Sequence, residues 1–258
     1  MPLLTTPARI AALIAVLLAA GGCGSKDFKA DPSGVNGIRT VAVVAFAVPK
    51  YITEDHGGSN YGGLSGLAQT ITKYSTGGET LGNGKAAAGE TAEGFIAAME
   101  RSGRWRIVPL ADVTRNDEIR GLARLYDQNM NGRMAGPDGL PVIRLRMDSK
   151  PSEFAHRAAF VLDVDGVMML DASDMSYVRH ASVAGSGVAK ARAMGTFTLY
   201  DRDGNPVWES RMAVGKTEAS APMIAGVVVR SKTPELHRSV GEGFAADLLK
   251  RYSKKARS

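Results

Sequence analysis

The 258-residue chain contains a single cysteine, Cys23, and only four histidines. A lone cysteine excludes an intramolecular disulfide bond and any zinc or iron–sulfur centre built from several cysteines. Long continuously apolar segments are equally scarce, because only one occurs, near the N-terminus, and this excludes a membrane protein with several transmembrane helices. With 44% hydrophobic and 22% charged residues, the composition is typical of a globular protein and unlike that of a disordered or coiled-coil chain.

The apolar segment has the organisation of a bacterial secretion signal. Arg9 supplies a positive charge, residues 10–20 form an apolar run, and two glycines then lead to Cys23. This run is shorter than the about 20 residues that a helix needs to cross a bilayer. The order Ala20-Gly-Gly-Cys23 resembles a lipoprotein box, in which the cysteine is acylated and the preceding residues are cleaved off, although such boxes usually carry leucine in place of Ala20. An ordinary signal peptide with an incidental cysteine, or an uncleaved anchor, is the alternative interpretation.

Cys23 is therefore the predicted lipidation site, at the end of a signal peptide of residues 1–22. Two or three acyl chains would anchor the protein stably, because a single chain binds membranes only weakly. Gly24 follows at the position where an aspartate favours retention in the inner membrane of enterobacteria. The sequence thus predicts an outer-membrane lipoprotein that faces the periplasm. Residues 23–37 are polar and rich in turn formers, which predicts a lipidated tether.

The rest of the chain is predicted to form one domain over residues 38–252, followed by a basic tail at 253–258. Residues 40–48 are almost continuously apolar and β-branched, which is typical of a strand covered on both faces. A glycine-rich insertion occupies residues 57–89, and a loop of this length is uncommon within a domain. Periodicity and capping signals then predict a helix at 90–102, a strand at 105–109 and a helix at 116–126.

The second half of the chain is predicted to be mostly β, with a helix at its end. Strands are expected at residues 142–147, at 159–171, and in a hairpin of 190–200 and 205–214 around an Asp-Gly turn. Thr233 is expected to cap a closing amphipathic helix that runs to about residue 252. The predicted order is strand, long loop, helix, strand, helix, antiparallel strands and helix. This order indicates the α+β class, with one mixed sheet and helices packed on one of its faces.

Four segments of this domain carry a resemblance to a known family: the strand VAVVAF, the helix that leads into SGRWRIVP, the hairpin LYDRDGNPVWES and the closing helix. Together they resemble lipoproteins of the curli-secretion-channel type. Related domains occur in the lipoprotein activators of penicillin-binding proteins and at the amino end of the Tol-system translocation protein. The resemblance implies an α+β domain with a role in the bacterial envelope. It implies no active-site residues, because those families are not enzymes.

A secretion channel also needs long amphipathic hairpins, with about nine to eleven alternating residues in each membrane-crossing strand. The candidate segments, residues 178–188 and 223–229, are weakly alternating and rich in glycine and alanine. The sequence therefore favours a non-catalytic lipoprotein that binds a protein partner of the envelope in the periplasm. An oligomeric outer-membrane secretion channel of the curli type is the alternative, so a homo-oligomer is a further expectation to test. No nucleic-acid partner is expected for an exported chain.

One segment matches the spacing of a calcium-binding loop. Asp127, Asn129 and Asn131 are followed by Gly132 at the sixth position and by Asp138 at the twelfth. The last ligand would be an aspartate in place of the usual glutamate, and a strand pattern follows where an exit helix should stand. An Asn- and Gly-rich connecting loop is the favoured interpretation. The sequence therefore predicts no metal and no cofactor.

Local motifs for catalysis are also lacking. Ser65 and Ser186 both lie outside the G-x-S-x-G frame of a nucleophile elbow, and the four histidines are widely scattered. Asp163, Asp165 and Asp171 cluster around a predicted strand, where a bend at an Asp-Gly pair explains them better than paired acid and base carboxylates. Both tryptophans are expected in the core. The sequence predicts that the protein is not an enzyme.

Overall fold

The computed structural model of the chain describes residues 27–50, 52–55, 84–129, 132–145, 151–181, 187–224 and 227–256. The predicted signal peptide, Cys23 and nearly all of the glycine-rich insertion lie outside these residues. The elements within them are, in chain order, β1 (Phe28–Ala30), α1 (Pro32–Gly37), β2 (Thr40–Pro49), β3 (Thr53–Asp55), α2 (Gly84–Arg101), β4 (Arg106–Ile107), α3 (Leu110–Arg115), α4 (Asp117–Tyr126), β5 (Met134–Ala135), α5 (Pro151–Leu162), β6 (Gly166–Ala181), β7 (Gly187–Asp201), β8 (Pro206–Lys216), β9 (Ala221–Ile224), β10 (Val227–Val228) and α6 (Thr233–Lys255).

The strands form a mixed sheet in the order β1-β8-β7-β6-β2-β4. The strand β2 runs parallel to both β6 and β4, whereas β6, β7, β8 and β1 pair antiparallel to one another. The short strands β3 and β9 extend the sheet beside β6 and β7. The predicted α+β class with a mixed sheet is confirmed.

The predicted strand at residues 40–48 is confirmed as β2, and its burial explains its composition. Every residue from Val41 to Val48 is buried. Val41 and Val43 belong to one hydrophobic cluster, whereas Ala42 and Val44 belong to another on the opposite face. A strand covered on both faces has no need of polar residues, which is why its sequence is apolar without alternation.

Helices cover both faces of the sheet, where the sequence predicted one face only. The helices α2 and α6 share the first cluster with the sheet, and α3, α4 and α5 share the second. The second layer depends on α5, whose last four residues, 159–162, were predicted to begin a strand over 159–171. An apolar run such as AFVL fits a strand as well as a buried helix. Phe154, Ala155, Ala158 and Ala159 are fully buried at helical spacing, and the strand begins only at Gly166.

The predicted tether differs from the structure over residues 28–37. Phe28 pairs with Ser210 at the edge of the sheet, so β1 is part of the domain. Asp31 then caps α1, because its Oδ1 accepts hydrogen bonds from the amide and hydroxyl of Ser33, at 3.0 and 2.6 Å. The side-chain bond from Ser33 is the main cause that lowers the pKa of Asp31. Val35 of α1 is fully buried. The polar, turn-forming residues of this segment therefore surround two short elements: β1, which pairs with β8, and α1, whose Val35 is buried.

Two other boundaries differ from the prediction. The helix predicted at 90–102 begins at Gly84, within the predicted insertion of residues 57–89, because Ala87 and Ala88 are buried against the sheet. No strand occupies residues 142–145, the described part of the strand predicted at 142–147. The backbone amide of Leu145 instead donates to the buried carboxylate of Asp171, at 3.3 Å.

The hairpin predicted around residues 201–204 is confirmed as β7 and β8. Asp201 Oδ1 accepts the backbone amides of Asp203 and Asn205, at 3.0 and 2.8 Å. Gly204 has a φ of +82°, a conformation that favours glycine. The closing helix is confirmed as α6, but Lys232 occupies the N-cap position and Thr233 is its first residue.

Candidate functional site

The chain joins the sheet close to the predicted lipidation site. The carbonyl of Asp27 accepts a hydrogen bond from the amide of Arg211 on β8, at 2.7 Å. Cys23 precedes Asp27 by four residues and lies outside the described part of the chain. An extended chain spans at most about 3.6 Å per residue, so the two Cα atoms cannot be farther apart than about 14 Å. An acylated Cys23 would therefore hold this edge of the sheet close to the membrane.

A group of basic side chains occupies one surface of β7 and β8, where Arg192 pairs with Lys216 at the end of β8. We define this basic face by Lys190, Arg192 and Lys216, together with the exposed Val188 and Met212. Alternation in β7 places Lys190 and Arg192 on the face opposite to three buried residues of the same strand, Ala189, Ala191 and Ala193. Arg192 lies directly opposite Lys216 in the antiparallel pairing, so these side chains share one side of the sheet. No sequence motif indicated this surface.

The segment with calcium-loop spacing is a connecting loop whose side chains bind the loop's own backbone. Asp127 Oδ1 accepts the amides of Asn129 and Val142, at 3.2 and 3.1 Å. Asn129 Oδ1 accepts the amide of Met134, at 3.3 Å. Asp138, at the twelfth position, forms an exposed ion pair with Lys85 at 2.9 Å, and Asn131 lies outside the described residues. Among the residues that the structure describes, no three His, Cys, Asp or Glu side chains are grouped so that they could hold a metal ion.

The three aspartates of the predicted acidic cluster take separate structural roles. Asp163 forms an exposed ion pair with Arg202, at 2.8 Å. Asp165 Oδ2 accepts the backbone amides of Arg39 and Thr40, at 3.0 and 2.8 Å, and thereby ties the start of β6 to the start of β2.

The remaining aspartate is buried. The Asp171 side chain has no exposed surface, and its Oδ2 accepts from Nε of Arg144, at 3.0 Å. With Asp165 and Asp171 engaged in different parts of the sheet, the structure does not bring the three carboxylates together as an acid–base pair would require.

We expect Asp165→Ala to lower the free energy of unfolding by about 1–2 kcal/mol, because it removes the acceptor of two backbone amides. The matched control is Asp163→Asn, which removes one charge from an exposed ion pair and is expected to cost less than about 1 kcal/mol. Urea denaturation followed by circular dichroism measures both. Equal effects of the two variants would show that Asp165 does not tie β2 to β6.

A buried hydrogen-bonded chain joins three elements on the α2–α6 side of the sheet. The Tyr177 hydroxyl of β6 lies 2.6 Å from Nε2 of His237 on α6. His237 Nδ1 lies 2.7 Å from Oε2 of Glu90 on α2. Tyr177 is fully buried and His237 is 2% exposed, whereas 20% of the Glu90 side chain reaches the surface. No sequence motif indicated this network, whose members are far apart along the chain.

Burial sets the protonation of this network. Desolvation lowers the pKa of His237, although the hydrogen bond that His237 donates to Glu90 opposes that change. Desolvation likewise raises the pKa of Tyr177. A neutral imidazole with its proton on Nδ1 donates to the Glu90 carboxylate and accepts from the tyrosine hydroxyl, so every polar group is satisfied. Although the order of groups is that of a proton relay, the buried hydroxyl has no surface from which a substrate could reach it. The network serves to hold α2, α6 and β6 together.

The serines and the other histidines that were considered as candidate catalytic residues do not come together in a site. His156 is exposed, and its Nδ1 lies 3.0 Å from the carbonyl oxygen of Arg202. His56, Ser65 and Ser186 lie outside the described residues. Within the described ranges, the candidate nucleophiles and histidines therefore form no catalytic group.

The prediction that both tryptophans are core residues is confirmed. Trp105 is 5% exposed and Trp208 is fully buried, with their ring centroids 6.2 Å apart. The guanidinium of Arg104 covers this cluster from outside, 4.3 Å from the centroid of the Tyr252 ring. Because the indole faces are closed off by other rings and by Arg104, neither tryptophan offers a stacking surface for a sugar.

An apolar surface lies on the opposite helical layer. Leu125 of α4 is 75% exposed and Phe160 of α5 is 70% exposed. A shallow groove between these helices is lined by Leu122, Phe160 and Val161 with two polar neighbours. An apolar groove beside an exposed aromatic side chain is a candidate protein-binding surface. No helix in the described ranges is both long and apolar enough to cross a membrane.

The described residues thus define an α+β protein with helices on both faces of a mixed sheet. No known protein family matches the chain, and no curated protein resembles it significantly. Among solved structures, the PelC dodecamer from Paraburkholderia phytofirmans is 12% identical and aligns with 84% of this chain and 94% of its own, at a TM-score of 0.24. A point variant of that dodecamer is 12% identical, aligns with 81% of this chain and 90% of its own, and has a TM-score of 0.23. TM-scores this low do not establish a common fold.

Proposed function

We propose that the protein is a lipid-anchored, non-catalytic lipoprotein of the bacterial outer membrane whose domain faces the periplasm and binds a protein partner of the envelope. The observation that carries the proposal is the secretion signal that ends in the chain's only cysteine, Cys23. The structure supports it through Asp27, four residues later, whose carbonyl already accepts a hydrogen bond from the sheet strand β8. An anchor so close to the domain keeps it beside the membrane.

The proposed mechanism is tethering. A domain held at the membrane meets an envelope partner at a raised effective concentration, so weak contacts suffice for binding. The groove lined by Leu122, Phe160 and Val161 supports a protein partner, because the 70% exposed ring of Phe160 beside it is well suited to a protein interface. The buried state of the Tyr177 hydroxyl supports a non-catalytic role.

The alternative, an oligomeric secretion channel of the curli type, draws support from the β6–β7 hairpin. These strands have 16 and 15 residues, which exceeds the about nine to eleven that cross a bilayer. However, Ala189, Ala191 and Ala193 of this hairpin are buried in the domain's own core. Channel formation would require the hairpin to leave that core. Detergent-resistant rings and conductance in planar bilayers would favour the channel.

We expect Cys23→Ala to abolish acylation and to move the protein from the membrane fraction to the soluble periplasmic or unprocessed pool, because no other thiol is present. Intact-mass spectrometry of the native protein measures the acyl groups, and fractionation measures the location. The matched control is Gly24→Asp, which leaves the acylated residue intact and is expected to shift the protein toward the inner membrane. Unchanged mass and unchanged membrane association of Cys23→Ala would contradict the proposal.

A further inference from the structure

We infer that the C-terminal end of α6 lies on a membrane surface that carries anionic phospholipid headgroups. We call this part of α6 the basic helix end and define it by Lys250, Arg251 and Lys254. The inference deepens the proposed function and rests on it for the position of the anchor. It assigns an orientation, in which the edge of the sheet formed by β1 and β8 is directed at the bilayer together with the last turns of α6.

The first argument is the position of α6 beside the point where the chain enters the sheet. The amide of Arg211 on β8 donates to the carbonyl of Asp27, at 2.7 Å. Three residues later, about 10 Å along a strand, the amide of Val214 donates to Oδ2 of Asp247 on α6, at 3.0 Å. Amides alternate in direction along a strand, and that of Thr217 donates to β7. The amide of Val214 therefore points away from β7, so α6 lies along the edge of β8 that the chain also enters.

The direction of α6 brings its last turns alongside this entry point. Asp247 lies beside Val214, and five residues later the ring of Tyr252 packs on that of Trp208 of β8, with centroids 5.1 Å apart. The helix therefore runs antiparallel to β8 and passes the point where the chain enters the sheet. An anchor four residues before this point keeps the end of α6 close to the headgroups, because four residues span at most about 14 Å.

The spacing of the cations directs them to this edge. Lys250, Arg251 and Lys254 follow Asp247 by three, four and seven residues. Residues at these intervals lie on one face of a helix, here the face of Asp247 beside the β1–β8 edge. Lys254 belongs to the basic tail predicted at 253–258, but it is part of α6, so the helix holds it in place beside the other two cations.

The second argument is the charge of the basic helix end. After Asp247 the chain contains five basic residues and no acidic one. The dipole of a helix places only about half a negative charge at its C-terminal end, so it does not neutralise them. Arg251 pairs with Asp247, at 2.9 Å. Lys250 and Lys254 are exposed, and neither side chain forms an ion pair or a hydrogen bond with any residue that the structure describes.

Two acidic neighbours of the basic helix end are already paired with cations of their own. Glu242, earlier on α6, pairs with Arg101 of α2 at 2.8 Å. On the sheet side, Glu209 of β8 pairs with Lys29 of β1, at 3.9 Å. Neither carboxylate therefore cancels the charge of the lysines at the end of α6.

Two further carboxylates border the same edge. Glu218 lines a shallow groove between the end of β8 and α6, but Lys216 and Lys250 line the same groove. Asp27 is exposed at the point where the chain enters the sheet. With Lys254 added, the cations outnumber these two carboxylates, so the edge keeps a net positive charge.

An anionic phospholipid surface fits this edge because it is the partner closest to an anchored domain. Acyl chains and basic residues act together in membrane attachment, since each cation near an anionic surface adds to the affinity. The groove between α4 and α5 lies on the opposite layer, which packs over β2 and β6. Membrane contact at the β1–β8 edge therefore leaves that groove accessible to a protein partner.

The test uses the mature chain, residues 23–258, coupled through the only thiol, that of Cys23, to a maleimide-bearing lipid. Vesicles of phosphatidylglycerol and phosphatidylcholine are compared with vesicles of phosphatidylcholine alone, and mass spectrometry follows the acetylation of each lysine. We expect Lys250 and Lys254 to react about fivefold more slowly on the anionic vesicles, and this protection should weaken with salt. Lys232 lies at the other end of α6, about 30 Å away, and should react equally on both kinds of vesicle.

A pair of variants tests whether the protection depends on the basic helix end. Lys250→Gln is expected to lessen the protection of Lys254, whereas the matched control Lys232→Gln makes the same change in net charge and should leave it unchanged. Equal acetylation of Lys254 on both kinds of vesicle, equal protection of Lys232, or equal effects of the two variants would overturn the inference. Missing acyl groups on the native protein would instead contradict the proposed function, since the chemically coupled anchor does not depend on acylation in the cell.

Discussion

Gly94→Ala is expected to lower the free energy of unfolding by about 3 kcal/mol, because the new methyl group would overlap the backbone of a neighbouring helix. Gly94 lies on α2 where this helix crosses α6, and a Cβ atom there would collide with the carbonyl oxygen of Arg238. Backbone atoms cannot move aside as the end of a side chain can. The collision therefore has to be relieved by separating two helices.

Separating α2 from α6 is costly because each helix has a glycine that lies directly against the backbone of the other. A Cβ atom at Gly241 of α6 would collide with the carbonyl oxygen of Thr91 on α2. The two helices make the most extensive helix–helix contact among the described elements, and Phe95 and Phe244 beside the crossing are fully buried. A shift of either helix would open voids around these rings, and close-packed interiors tolerate voids poorly.

The matched control is Gly89→Ala on the same helix, where a Cβ atom would meet nothing within 4 Å. This variant should raise stability by about 0.5–1 kcal/mol, because alanine is the better helix former. Thermal and urea denaturation of both variants measures the difference. A Gly94→Ala protein as stable as the wild type would show that α2 and α6 do not cross at this point.

The parts of the fold that could be predicted from the sequence are those with a strong local signal. The strand β2 is a long β-branched apolar run. The β7–β8 turn contains Asp201, whose side chain accepts backbone amides of the turn, and Gly204, whose positive φ favours glycine. The helix α5 was missed because its buried residues are mostly alanines next to an apolar run, a pattern that fits either a helix or a strand. The strand β1 was missed because three residues give no periodicity, and only pairing with β8 stabilises them.

The candidate surfaces also combine residues with a local sequence pattern and residues that only the tertiary fold brings together. Lys190 and Arg192 alternate with alanines in the sequence, so the β7 part of the basic face has a local signal. Lys216 joins them only through the register of β8, which is shifted by an irregularity between Gly195 and Phe197. The Glu90–His237–Tyr177 network has no local signal, because its three residues come from two helices and a strand that only the tertiary fold brings together.

His237→Ala is expected to lower the free energy of unfolding by about 3 kcal/mol, because it leaves a cavity and removes two buried hydrogen bonds at once. Tyr177→Phe tests one of these bonds alone and should cost about 1–3 kcal/mol, since it leaves the buried Nε2 of His237 without a donor. His156→Ala is the matched control, because His156 is exposed and should change stability by less than about 1 kcal/mol. Comparable effects of His237→Ala and His156→Ala would contradict a structural role for the network.

The same network predicts how stability depends on pH. Burial lowers the pKa of His237 in the folded protein, so the unfolded chain binds a proton at a higher pH than the folded chain does. Stability should therefore be constant with respect to this group above the ordinary histidine pKa of about 6.5, and it should fall as the pH decreases from there to the folded-state pKa.

In His237→Gln the amide can donate to Glu90 and accept from Tyr177, but it cannot bind a proton. Urea midpoints measured across this range should fall less steeply in His237→Gln than in the wild type. An unchanged slope in His237→Gln would mean that the buried imidazole does not resist protonation, and that the acid sensitivity arises from other groups.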